Sequence, residues 1–273
     1  MKTKGKFTLK DLNEFEGYIH GLSTSGLRKM THVQAHHTWS PSYRNFNGSN
    51  HFEKLESMEA YHISEGWSQI GQHYTTFPDG MIATCRSLAV APACIKGHNT
   101  GGICIENLGN FDLHGDVITP AHNKTITHLN ALLCLKFNLP VDTNSLVYHH
   151  WFRQSDGFRD NGLDKMDVRD HKTCPGTNFF GGNRVADAQL NFTPEVQKAF
   201  TAYNSAARPP AVTVLKGKVN VAVLNVRKGT AVEFAVVEKL NRNDVVTILE
   251  TVGEWDRIGA DKWVKADYLV ILP

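Results

Sequence analysis

Met30-Thr31-His32-Val33-Gln34-Ala35-His36-His37-Thr38-Trp39-Ser40-Pro41 is the stretch on which the fold turns. Thr31 to Ala35 reads as a short strand, and Trp39 to Asn50 is polar and turn-rich, so His36 falls at a strand end facing a loop. Upstream, Leu9, Leu12, Phe15 and Ile19 recur at helical spacing, which predicts a short helix opening at Thr8 to Asp11. Downstream, Phe52 to Glu65 fits a second helix. Gln69 to Phe77 and Met81 to Cys85 then read as two strands of a hairpin turned by Pro78-Asp79-Gly80. Gly102 to Leu108 reads as a buried strand. Thr119-Pro120 is a capped helix start, and Ile126, Leu129, Leu133 and Phe137 mark the buried face of the helix that follows. Leu146 to Tyr148 is a last short strand, ending at His149. Strands alternating with helices predict an α/β domain, a central mixed β-sheet flanked by helices.

Near residue 204 the texture changes. Asn204-Ser205-Ala206-Ala207-Arg208-Pro209-Pro210-Ala211-Val212 is small and Pro-bearing, a linker. Short alternating segments follow at 218–227, 233–239, 245–252, 255–259, 263–265 and 269–272, the pattern of a small all-β barrel. The expected division is 1–204, a linker at 205–212, and 213–273.

With 41% hydrophobic and 21% charged residues, the composition is that of an ordinary globular protein. A net charge of +2 without a basic stripe argues against nucleic acid as partner. No apolar run approaches the ~20 residues of a membrane span, so membrane insertion is not expected. The first residues, Met1 to Gly21, carry basic groups without an apolar core behind them, which does not read as a signal peptide. Cys85, Cys94, Cys104, Cys134 and Cys174 form no CxxC pair, so a zinc ribbon is excluded. Cys85 and Cys94 could close a short loop. The odd count favours free thiols and synthesis in a reducing cytoplasm.

Three positions stand out chemically. His36 and His149 each end a strand, and Cys174 precedes Pro175-Gly176, which turns the chain sharply. A lone histidine is usually a packed core or surface residue. Two histidines and a cysteine converging from distant segments make a three-ligand zinc site that leaves a fourth position for water, the catalytic arrangement. A different chemistry, Cys174 as the nucleophile of a cysteine peptidase, would want a helix N-terminus to lower the thiol pKa. Pro-Gly follows instead.

The motifs HHTWSP (36–41), WSQIGQHYTTFPDGMIATCR (67–86), GGICIENLGNFD (101–112), VYHH (147–150) and HKTCPG (171–176) give residues 30–185 a resemblance to a known family. They resemble the zinc-dependent N-acetylmuramoyl-L-alanine amidases of the phage-lysozyme, peptidoglycan-recognition-protein and muropeptide-recycling group. The resemblance implies Zn2+ as cofactor and bacterial peptidoglycan as substrate. Its ligand pattern selects His36 rather than His37, then the first histidine of His149-His150, then Cys174. Lys172 matches the family lysine, an oxyanion stabiliser. The family's frequent tyrosine is Gln72 here, which cannot serve as acid or base. The acid–base role then passes to Glu106, a match to the glutamate of the recycling branch. An insert, Trp151 to Asp170, lies between His149 and Cys174, and it keeps His150 and His171 as competing ligands. Trp39, His73, Asn110 and Phe111 are the candidate substrate-binding residues.

The C-terminal segment resembles bacterial SH3-type domains through LNVRKG (224–229), VVTILETVGEWDRI (245–258) and KWVKADYL (262–269). In lytic enzymes such domains tether the catalytic unit to the wall. Together the two resemblances imply a phage or prophage endolysin, made in the cytoplasm and acting on the wall after release. A protein that binds peptidoglycan without cutting it is the remaining alternative.

Overall fold

The computed structural model describes residues 1–162, 168–207 and 215–272. Two compact units emerge, residues 1–207 and 208–273. The first is the α/β unit expected: a seven-stranded mixed sheet with helices on both faces. Its elements are β1 (Lys2–Lys4), β2 (Phe7–Lys10), α1 (Leu12–Gly21), β3 (His32–His37), α2 (His51–Ser64), β4 (Tyr74–Thr76), β5 (Ile82–Thr84), β6 (Gly102–Asn107), α3 (Pro120–Phe137) and β7 (Leu146–Tyr148). A short helical turn, α4 (Val185–Asp187), leads through a wider π-helical turn into α5 (Thr193–Ala207). Strand order is β1-β2-β5-β4-β6-β3-β7. The β4, β6, β3 and β7 pairings are parallel, and those from β1 to β4 are antiparallel.

Register sets up everything that follows. In the parallel β3–β6 pair, His36 lies beside Glu106 and Gln34 beside Cys104. In β3–β7, Ala35 lies beside Tyr148, so the next residue, His149, comes level with His36 just past the strand end. Side chains alternate between the two faces of a strand. Val33, Ala35, Ile103 and Ile105 therefore share the face covered by α1, α3 and α5, where the larger core sits. Gln34, His36, Cys104 and Glu106 take the opposite face. There Leu55 and Met58 of α2 close a second core with Phe7, Leu9, Phe77, Ala83 and Leu108.

α3 lies at the centre of the helical layer, between α1 and α5. Ile126, Leu129, Ala131, Leu132, Leu133 and Cys134 are all buried, more sides than a single amphipathic stripe. Phe137, expected on the buried face, is only half-buried. The helix starts where the sequence puts it. Thr119 Oγ1 accepts the His122 N–H at 3.1 Å, and its hydroxyl donates to the Pro78 carbonyl at 2.6 Å. Thr119→Ala removes both bonds and is expected to cost about 1 kcal/mol, read as a lower midpoint in denaturant unfolding.

Several elements differ from the expectation. The first helix begins at Leu12, not Thr8. Asp11 is its cap, accepting the Glu14 N–H at 2.8 Å while the Glu14 carboxylate accepts the Asp11 N–H at 3.0 Å. Leu9 instead lies in β2 and packs under α2. The strand expected over 69–77 shortens to Tyr74–Thr76. Upstream, the Ile70 N–H is taken by the Glu59 carboxylate and the Gly71 N–H by His62 Nδ1, so these donors do not enter a ladder. β1 and α5 are elements beyond those expected. Helix α5 runs through 205–207, the start of the expected linker; 208–214 lie outside the described residues, as do 163–167 of the insert.

The free-thiol reading fails at one pair. Cys94 and Cys104 form a disulfide. Strand alternation turns Cys104 toward the 86–101 loop, which brings Cys94 over it. Cys85, Cys134 and Cys174 are free and buried.

The second unit is all β. One sheet orders β10 (Val236–Asn241), β9 (Val223–Arg227), β14 (Lys262–Lys265), β13 (Trp255–Gly259) and β12 (Glu250–Val252). The other orders β11 (Val245–Ile248), β8 (Leu215–Val219) and β15 (Leu269–Leu272). Val219, Leu224, Val226, Ile248, Val264 and Leu269 fill its core. The segments expected at 218–227 and 245–252 each break into two strands. At Leu249 the break comes where its N–H bonds across to the Arg257 carbonyl.

Candidate metal centre

Ligand crevices in open α/β sheets form at the carboxyl ends of parallel strands. Here β6, β3 and β7 end in a row, with Glu106, His36 and His149 on neighbouring strand ends. The Asn107 side-chain amide donates to the His36 carbonyl at 2.7 Å and fixes the β3 terminus. Cys174 arrives on a tight turn in which the Gly176 N–H bonds the Thr173 carbonyl at 2.8 Å. Gly176 has φ +123°, and a Cβ there would meet the Phe111 backbone at 2.4 Å, so only glycine lets this turn seat.

The three expected ligands converge. His36 Nδ1 lies 3.2 Å from His149 Nδ1 and 3.4 Å from Cys174 Sγ. Zinc bonds of about 2.0 Å to nitrogen and 2.3 Å to sulfur put tetrahedral donors about 3.3–3.6 Å apart. All three donor atoms lie within 4.8 Å of one another, and all three residues are buried. Burial and then the His149 ring push His36 well below the usual histidine range. Burial, with the Lys172 charge behind it, lowers His149 to about 3. Both rings are therefore neutral, the form that ligates metal. The donor set of two imidazoles and one sulfur fits zinc on ligand softness.

Glu106 and Lys172 share the cavity with these ligands, a groove of about 760 Å³. Burial raises the Glu106 carboxyl to about 8, opposed by Lys172. Burial, and then Glu106, push the Cys174 thiol well above its ordinary value.

The competing histidines point elsewhere. His150 Nδ1 lies 2.7 Å from the Lys172 carbonyl. His171 is buried with its Nε2 3.3 Å from the Asp160 carboxylate. Of the four substrate-binding candidates, Trp39 lines the groove and is 60% exposed. The other three lie outside it. His73 is a core residue: its Nδ1 accepts the Cys104 N–H at 3.0 Å, and its Nε2 faces the Val90 carbonyl at 3.0 Å. Phe111 is fully buried in the larger core beside Tyr43 and Phe179. Asn110 holds a turn, accepting the Asp112 N–H at 3.1 Å. The groove wall that sequence reasoning missed comes from α2 and its exit: Tyr61, His62 and Trp67, with the Trp67 and His62 rings stacked at 4.5 Å. The available signal was Trp67 at the head of the motif at 67–86, just past the end of the helix that carries Tyr61. Gln72 also lines the groove, and its buried Oε1 has no hydrogen-bond partner among the described residues.

Asp112 clamps the Cys174 turn. One carboxylate oxygen accepts the Thr173 hydroxyl and the other the Thr177 N–H, both at 3.0 Å. Outer partners of this kind typically contribute 10–100-fold to metal affinity. Asp112→Ala is expected to weaken zinc binding about 10-fold, checked by competition titration against a chromophoric chelator.

A family model described as N-acetylmuramoyl-L-alanine amidase matches residues 26–177. An endolysin of Klebsiella phage KP32 is 26% identical over 98 residues, 35% of this chain, and the chain spans 63% of that relative's length. Among solved structures, the N-acetylmuramoyl-L-alanine amidase LysC from Clostridium intestinale is 23% identical, covering 58% of this chain and 84% of that one at a TM-score of 0.40. Drosophila PGRP-LB is 20% identical, covering 60% and 82% at a TM-score of 0.44. The family match spans more than half of the chain and takes in every residue of the converging set, from His36 to Cys174: the chain belongs to the N-acetylmuramoyl-L-alanine amidase family.

Proposed function

We propose that the first unit is a zinc-dependent peptidoglycan amidase, cleaving the amide between N-acetylmuramic acid and the L-alanine of the stem peptide. The observation that carries this is the meeting of His36 Nδ1, His149 Nδ1 and Cys174 Sγ at the base of a groove that also holds Glu106. Zinc, when bound by those three residues, supplies Lewis acidity and a water whose pKa falls toward ~7. In its ionised form, which the Lys172 charge favours against burial, Glu106 takes the proton from the attacking water and returns it to the departing L-alanine nitrogen, so one carboxylate serves as base and then acid. Lys172 Nζ donates to the oxyanion that develops on the lactyl carbonyl, a contribution of about 3 kcal/mol or more. Trp39 and Trp67 supply flat apolar faces along the groove for the sugar and peptide flanking the bond.

The second unit, residues 215–272, is proposed to be an SH3-type domain that holds the enzyme on the wall, on the strength of its motifs and its all-β architecture. The similarity to a phage endolysin supports a lytic role, with the protein made in the cytoplasm and reaching the wall after release.

Digestion of purified peptidoglycan with the full chain tests the reading. New L-alanine amino termini without new reducing sugars are expected, lost on chelation and restored by zinc. Reducing sugars would identify a glycosidase instead. Cleavage at other peptide bonds that survives chelation would return Cys174 as a nucleophile, and binding without fragments would leave a recognition protein.

A further inference from the structure

The Cys94–Cys104 disulfide lies on the same sheet face as the metal centre. Cys104 is two residues before Glu106 on β6 and sits in register with Gln34, two residues before His36 on β3. Cys94 lines the groove itself. A ring nitrogen of His36 and the two sulfurs of this pair lie within 4.8 Å of one another. His36 is thus shared by two donor triads: one with His149 and Cys174, the other with Cys94 and Cys104. Its Nδ1 is turned to the first triad, and its buried Nε2 has no hydrogen-bond partner among the described residues.

We propose that reduction of Cys94–Cys104 opens a second metal site, formed by His36, Cys94 and Cys104, which takes zinc in place of the hydrolytic triad. Oxidised, the pair offers no thiolate and cannot ligate. Reduction by a thiol or phosphine adds two electrons and two protons, breaking the S–S bond and leaving two thiols. The reductant leaves as its own disulfide or as a phosphine oxide whose oxygen comes from water. The freed sulfurs separate from covalent contact to the ~3.8 Å spacing of two sulfurs on one tetrahedral zinc. Each loses its proton as metal binds. Two thiolates and one imidazole are a softer set than one thiolate and two imidazoles, and thiolates are ligands that select zinc. The groove gives a reductant its access to Cys94. Metal held there is drawn away from His149 and Glu106, so the reduced protein keeps its zinc out of the hydrolytic arrangement. The inference rests on the proposed function only in treating His36 as a ligand.

Cobalt(II) titration of the full chain tests it, because sulfur-to-cobalt charge-transfer absorption grows with the number of thiolates bound. The protein is compared oxidised, and after phosphine reduction with the reductant removed. Oxidised Cys174→Ser should show no thiolate band. Reduced Cys174→Ser should gain one, about twice as intense as that of the oxidised parent, in proportion to two thiolates against one. The parent should itself gain intensity on reduction, whereas a Cys94→Ser, Cys104→Ser double variant should give the same band under both conditions. Circular dichroism checks that each sample is folded. The proposal is overturned if reduced Cys174→Ser stays without a band, or if the band persists when Cys94 and Cys104 are replaced as well, since Cys85 and Cys134 would then be its source. It is overturned equally if the parent's band ignores reduction. A missing band in the oxidised parent would count against the amidase centre, not against the second triad.

Discussion

Replacing His149 by alanine should empty the site of zinc and lower peptidoglycan hydrolysis by about 10³-fold or more, while His150→Ala keeps both zinc and most of the rate. The two histidines are adjacent in the chain, so the contrast depends on geometry alone. His149 turns its Nδ1 to within 3.2 Å of His36 Nδ1, and His150 turns its own to the Lys172 carbonyl. Three protein ligands are the minimum of the catalytic zinc sites that keep an open position. Removing one leaves His36 and Cys174 alone, without the third contact that holds the ion against water. Zinc per chain measured by atomic absorption, alongside release of L-alanine termini, checks the prediction. Equal zinc in the His149→Ala variant and the parent would overturn the ligand assignment. His150→Ala should cost about 2-fold in rate or less, below the 10–100-fold typical of a partner that supports the metal shell.

Glu106→Gln separates chemistry from metal binding. Glutamine has the same shape but cannot shuttle a proton. The expected result is full zinc occupancy with a rate lowered by about 10²–10⁴-fold, the usual contribution of a positioned acid–base group. The change should fall on kcat rather than KM, because the proton moves in the transition state and not on binding. Gln72, on the same groove, cannot take over the role, since its amide neither gains nor loses a proton in this range. The Gln72 Nε2 is in any case engaged by Thr75 Oγ1 at 3.0 Å. A Glu106→Gln enzyme with the parental rate would remove Glu106 from the mechanism. If Lys172→Ala also kept full rate, the oxyanion role would fall with it.

Much of this was legible in the chain. The Thr119 cap with Pro120 at the first helical position, the turn at Pro78-Asp79-Gly80, helix α2 and the all-β texture after residue 214 are local patterns, and local patterns depend on neighbours in sequence. The motif resemblance selected His36, His149 and Cys174 because each carries its own short context. What depends on distant neighbours was not legible. His73 sits beside a motif position yet faces the core, because the Cys104 N–H and Val90 carbonyl claim its ring. Phe111 follows a strand of the site yet fills the core around Tyr43 and Phe179. Cys104 found Cys94 rather than staying a thiol because β6 alternation aims it at a loop whose path no periodicity encodes. Sequence alone determined which residue types could make the centre and where strands would end. Only the tertiary structure shows which ring turns to His36: His149 does, while His150 turns to the Lys172 carbonyl and His171 to Asp160. The parallel register of β6, β3 and β7 aligns positions 106, 36 and 149 across more than a hundred residues of chain, and alignment over that distance is a property of packed strands rather than of any local stretch.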